Sequence, residues 1–204
     1  MICSQSELKN LIYNSGIGSN IDVGICEEIS QAVAKLESFN INASQEALNC
    51  FKNPTYRKTK IHVSKNSIGF GDSQVVYNGI SAIDNFRCGL YDKITFEKLD
   101  SPILLLGLAL INKVTNFQIL FSSEVISYVN DNKFYWNNSF NRNNVKITIQ
   151  KKKFLPPFYN FSSNEIKIER KIWNELQSIS VNALVPKSKE SRDNGAGAEN
   201  DDND

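Results

Sequence analysis

The run from Pro102 to Ile111, Pro-Ile-Leu-Leu-Leu-Gly-Leu-Ala-Leu-Ile, carries no polar side chain. A segment without a solvent face must be wrapped on every side by the rest of the chain. It has about half the ~20 residues that a membrane span requires, so it is read as the centre of a core. Leu104, Leu105, Leu108 and Ile111 keep helical spacing and predict a buried helix. A buried strand is the alternative, kept open by Gly107 and Val114.

Around this run the hydrophobic period changes. Ser4-Gln5-Ser6-Glu7 fits a capping box, in which a serine and a glutamate satisfy the first orphan amides of a helix. Leu8, Leu11 and Ile12 follow on one face, and Ser15-Gly16-Ile17-Gly18 is expected to end that helix. Asp22 is a candidate N-cap for a second helix, with Ile25, Cys26, Ile29, Ala32, Val33 and Leu36 on its apolar stripe. Ala47, Leu48 and Phe51 support a short third helix that Pro54 prevents from continuing.

Period two takes over next. Ile61 and Val63, a turn at Lys65-Asn66, then Ile68 and Phe70 predict a hairpin, and Gln74 to Tyr77 another short strand. Strands are expected at 117–121, 125–129, 134–136 and 145–149, with Asn130-Asp131-Asn132 turning between the middle two. Ile166 and Ile168 alternate as a strand. Ile172, Trp173, Leu176, Ile179 and Ala183 return to helix period before Pro186. Helices, strands and a closing helix describe an α+β fold with a mainly antiparallel sheet. Residues 1–186 are expected to form a single domain, and 187–204 a polar glycine- and acid-rich tail.

Charge and cysteine usage narrow the function classes. With 23 basic and 22 acidic residues among 204, the net charge is +1, so no global field recruits nucleic acid or an anionic membrane. Cys3, Cys26, Cys50 and Cys88 form no C-x-x-C pair and no dense disulfide framework, which argues against a zinc finger. The N-terminus lacks a basic stretch followed by an apolar one, so a reduced, cytoplasmic protein is expected. The sequons at Asn42, Asn137 and Asn160 are read as chance matches in an Asn-rich sequence. Lys151-Lys152-Lys153, the one basic run, reads as a solvated strand end.

Residues 187–204 stand apart, with a net charge of −3 against +4 for the remainder. Composition alone gives a frayed acidic end. The sequence Val185-Pro186-Lys187-Ser188-Lys189-Glu190-Ser191-Arg192, then Gly195-Ala196-Gly197-Ala198 and Asp202-Asn203-Asp204, resembles the terminal signature of a bacterial family known as domain of unknown function thirty-seven twenty-six. That signature reads V-P-A-T-x-x-S-R-x-x-G-A-G-A-G-x-x-D-N-D. Ser4, Glu7, Gly18, Gly24, Glu27, Glu28 and Ala32 are similar to the family's opening, and Gly79 to Asp84 to its central G-x-x-x-x-D element. Lys187, Ser188 and Glu199 depart from the signature, and Glu199 replaces a glycine that would permit close backbone approach. The family has no settled activity, so the resemblance implies a docked terminus and no mechanism.

A docked tail would bring Glu190, Ser191, Arg192, Gly195, Gly197, Asp202 and Asp204 against a surface, with Arg57, Arg87, Arg142 and Arg170 as candidate partners. Glu27 and Glu28 read as helix-start acids favoured by the dipole, with a site role as the alternative. Asp84 reads either as a helix cap or as a site acid. His62 falls on a strand, and no nucleophile–His–acid set accompanies it. Two functions follow. One is a non-catalytic accessory or binding protein whose C-terminal tail docks on its own core or on a partner, the expected partner being a protein or a small molecule. The other is an enzyme or metal-dependent small-molecule binder, in which Asp84, Arg192, Asp202 and Asp204 converge and hard oxygen ligands favour magnesium or calcium over zinc.

Overall fold

The computed structural model describes residues 1–52, 59–131, 133–137, 139–140, 142–152 and 165–183. The chain opens with a short strand, β1 (Ile2–Ser4), and passes into α1 (Gln5–Gly18). Ser4 is the N-cap: its hydroxyl accepts from the Glu7 amide at 3.2 Å, and Glu7 accepts from the Ser4 amide at 2.7 Å. The capping box is therefore present as expected. Helices α2 (Val23–Ser38) and α3 (Ser44–Lys52) follow. Glu37, buried near the end of α2, accepts from the amides of Ala43 and Ser44 at 2.9 and 2.7 Å, so one helix caps the next. Burial pushes the Glu37 carboxyl above its ordinary range, against the pull of those two amides.

The α1 helix ends at Gly18, the last residue of the stretch expected to close it, but the left-handed position falls beyond it, at Asn20 with φ 60°. The glycine at 18 serves close approach instead. A Cβ there would lie 2.2 Å from the Ile179 carbonyl oxygen of α6 (Arg170–Ser180), so only glycine lets the two helices meet.

The hairpin of β2 (Ile61–Ser64) and β3 (Ser67–Ser73) forms in the expected register, Ser64 opposite Ser67. The segment expected as a strand at 74–77 is helical instead: a π-turn at Val75–Gly79 leads into α4 (Ile80–Arg87). Val75 and Val76 are both fully buried, which an alternating strand facing solvent on one side does not allow. This helical stretch is a crossover. It carries the chain from β3 to β4 (Lys93–Leu99), which lies parallel to β3, and a parallel pair demands such a connection.

The apolar run is a helix, α5 (Pro102–Ile111), and the strand alternative falls away. It packs on α2 so closely that a Cβ on Gly107 would sit 2.8 Å from Leu36 Cδ1 and 3.0 Å from Ala32 Cβ. Strands β5 (Phe117–Phe121), β6 (Glu124–Asn130), β7 (Lys133–Trp136) and β8 (Val145–Lys151) complete a seven-stranded sheet of order β2-β3-β4-β8-β5-β6-β7. All its pairings except β3–β4 are antiparallel. The last strand, β9 (Glu165–Lys167), leaves this sheet and pairs with β1. The class is α+β, and one core cluster reaches from Cys3 to Leu176. No helix among the described residues is long and apolar enough to cross a membrane.

Candidate functional site

The carboxyl ends of β3 and β4, the parallel pair, open against one face of α3. Asp72 and Ser73 end β3 and Gln74 follows it, Asp100 follows β4, and Glu46, Asn49 and Cys50 share an α3 face through i, i+3 and i+4 spacing. Asn143 and Asn144, on the approach to β8, close the far wall. Together they enclose a cavity of about 600 Å³. A crevice beyond the carboxyl ends of parallel strands is where open α/β sheets place ligands, and this small parallel unit repeats that geometry.

Asp100 organises the floor. Its Oδ1 accepts from the amides of Val75 and Ser101, both at 2.8 Å. The first of these amides begins the π-turn and the second precedes α5, so one oxygen holds two chain reversals. The other oxygen, Oδ2, faces the Cys50 thiol at 3.5 Å. Burial pushes the Asp100 carboxyl above its ordinary range, and the hydrogen bonds from Val75, Cys50 and Ser101 offset this only in part.

Glu46 stands on the α3 wall, where its Oε2 accepts from Asn143 Nδ2 at 2.7 Å. Its carboxyl is also raised, by burial first and by the nearby charge of Asp100 as well. Cys50 is pushed well above the usual thiol range by burial and then by Asp100. A thiol so held stays protonated at neutral pH and makes a poor nucleophile. Lys52 lines the cleft too, but its ammonium pairs with Glu175 of α6. Asp100 and Glu46 present hydrogen-bond acceptors to the cleft.

Of the candidate site residues read from the sequence, the two that are described, Glu28 and Asp84, do not line this cleft. Glu28, half-buried in the second turn of α2, accepts from Asn112 Nδ2 at 3.5 Å. Asn112 Oδ1 accepts from Arg87 Nη1 at 2.9 Å, and the same nitrogen lies 3.9 Å from Asp84 Oδ1. The structure therefore links Glu28 and Asp84, in a polar network across the ends of α4 and α5. Asp84 is exposed within α4 and is not an N-cap. Glu27 is exposed and, like Glu28, lies beyond the first turn, where the dipole acts most. His62 is exposed on β2. Arg142 lies over the Phe121 ring at 5.1 Å, and Arg170 begins α6. Arg57, Glu190, Ser191, Arg192, Gly195, Gly197, Asp202 and Asp204 lie outside the described residues. Among the described residues no group of three or more His, Cys, Asp or Glu is placed to hold a metal ion.

The cleft residues carry a faint sequence signal. Asp100-Ser101-Pro102 is a helix-start pattern directly before the apolar run, and it marks the junction where Asp100 sits. The convergence of that junction with α3 is tertiary, and no local spacing announces it. The chain matches no protein-family model, and no curated protein shows significant similarity to it.

Proposed function

We propose that this chain is a non-catalytic accessory or binding protein, which holds a small polar ligand in the cleft between α3 and the ends of β3 and β4. The observation that carries this reading is the fixing of Asp100 by two backbone amides, with its second oxygen turned to a protonated, buried thiol. Such a group is pre-organised to receive a donor, and the thiol beside it is held protonated and is not an activated nucleophile. The tail is part of the same proposal: residues 187–204 dock on the core or on a partner, a reading supported by their likeness to a family's terminal signature.

The test has two parts. Small polar compounds that raise the melting temperature of the full chain should be recovered unchanged by NMR, and Glu46→Gln should abolish the shift. A compound that is turned over, with turnover lost in Glu46→Gln, makes the protein an enzyme instead. Deleting Gly195 to Asp204 should lower the melting temperature by several degrees, at about 1–3 kcal/mol for each charge-assisted hydrogen bond broken. An unchanged melting temperature, with rapid exchange of the Gly195 to Ala198 amides, leaves the tail undocked.

A further inference from the structure

The lining of the cleft is specific about charge. Glu46 and Asp100 both face the cavity, and among the described residues no lysine or arginine pairs with either. Lys52, the basic residue on the wall, is engaged by Glu175. The charge of Asp100 acts on Glu46, and both act on Cys50, so negative potential gathers between Glu46 and Asp100, which no described lysine or arginine pairs. A third carboxylate, Asp72, lines the cleft with Lys98 at 3.8 Å, and Asn49, Ser73, Gln74, Asn143 and Asn144 supply the rest of the polar lining. An anion is repelled here, and an apolar ligand would strip water from carboxylates without replacing it. Among the described residues no third His, Cys, Asp or Glu joins Glu46 and Asp100 in a group placed to hold a bare metal ion. What remains is a cation that brings its own N–H donors, within a volume inside the range of about 300–1,000 Å³ typical of small-molecule sites.

We infer that the cleft takes an alkylammonium or guanidinium group, seated between Glu46 and Asp100 and donating to Asp100 Oδ2. The inference rests on the binding reading above and names its ligand class. Two sources share this chemistry: a free small amine or guanidine, and a lysine or arginine side chain of the protein's own tail. In the tail, Lys187, Lys189 and Arg192 carry this chemistry.

Calorimetric titration with putrescine, agmatine and the neutral 1,4-butanediol tests this, on the full chain and on a chain ending at Pro186. The two cations should bind and the diol should not. Glu46→Gln and Asp100→Asn should each weaken binding at least tenfold; the Asn variant keeps the Oδ1 acceptor that serves Val75 and Ser101. Equal binding to both chains assigns the site to a free cation, and binding to the shortened chain alone assigns it to the tail. Diol binding as tight as putrescine overturns the cation class and leaves the binding reading standing. Cation binding that survives both substitutions overturns the placement. Failure of all three compounds on both chains overturns the inference, and the binding reading fails separately if no other polar compound shifts the melting temperature.

Discussion

The Val75 amide donates to Asp100 Oδ1 at 2.8 Å, across a sequence separation of 25 residues. This bond ties the start of the β3–β4 crossover to the residue that follows β4, so the floor of the cleft and the connection of the parallel pair depend on the same carboxylate. Because Ser101 donates to the same oxygen, charge and geometry at Asp100 are separable by substitution.

Asp100→Ala should destabilise the protein by about 2–4 kcal/mol, since two amides in a partly buried site lose their acceptor. Asp100→Asn should cost less than about 1 kcal/mol, because the amide oxygen still accepts from both. Urea denaturation at neutral pH measures the difference, and equal losses in the two variants would show that the charge of Asp100, and not its acceptor geometry, holds the floor.

The raised carboxyls set a pH dependence. Glu37, Glu46 and Asp100 have folded-state values displaced upward by burial, so the native state holds their protons more tightly than the unfolded state does. Their contribution to stability is fully present below the ordinary carboxylate range and is lost as pH rises through the displaced values. Glu7, exposed, and Glu175, half-buried, are displaced downward by Ser4 and Lys52 respectively and contribute in the opposite sense. Comparing a single variant with its parent isolates one group. Glu46→Gln should match the parent near pH 4 and become the more stable of the two toward pH 7. A difference independent of pH would show that Glu46 carries no burial penalty.

Much of the fold was legible because local signals and tertiary packing agree. The capping box at Ser4, the stripe on α2 and the apolar run of α5 each demand one structure. Legibility failed where burial is two-sided. Val75 and Val76 read as a short strand, yet both are enclosed, and that misreading hid the crossover and with it β4. In β4, Ile94 and Phe96 alternate with Lys93, Thr95 and Glu97, but the signal has meaning only once β3 has a parallel neighbour. The site was less legible still. Glu28 and Asp84 do meet in one polar network, but through Asn112 and Arg87, which no motif connects to them. Glu46 and Asp100 lie far apart in sequence and acquire their chemistry from a cavity that only the assembled fold creates.

Two helical glycines, Gly18 in α1 and Gly24 in α2, should behave oppositely. A Cβ on Gly18 would lie 2.2 Å from the Ile179 backbone, which cannot yield as a side-chain tip can. Gly18→Ala should therefore cost about 1–3 kcal/mol by forcing α6 away from α1. A Cβ on Gly24 meets nothing within 4 Å, and Gly24→Ala should be neutral or stabilising by up to about 1 kcal/mol through helix propensity. Thermal denaturation of the two variants decides it, and a tolerated Gly18→Ala would mean that the α1–α6 packing is looser than the geometry describes.

Thiol accessibility checks the cleft floor without any ligand. Cys3, Cys26 and Cys50 are buried and Cys88 is exposed, and all four are free. Burial also raises the Cys26 thiol to about 11 and the Cys50 thiol well above its usual range, so both remain protonated where alkylating reagents act on thiolates. Iodoacetamide at pH 8 should therefore modify Cys88 in the native protein and reach the other three only after denaturation. Asp100→Asn removes the charge beside Cys50 but not the burial, which is the larger cause, so the variant should leave Cys50 protected. Rapid labelling of Cys50 in the parent would show that the floor opens on the time scale of the reaction, and the fixed Asp100–Cys50 pair on which the binding site is built would not hold.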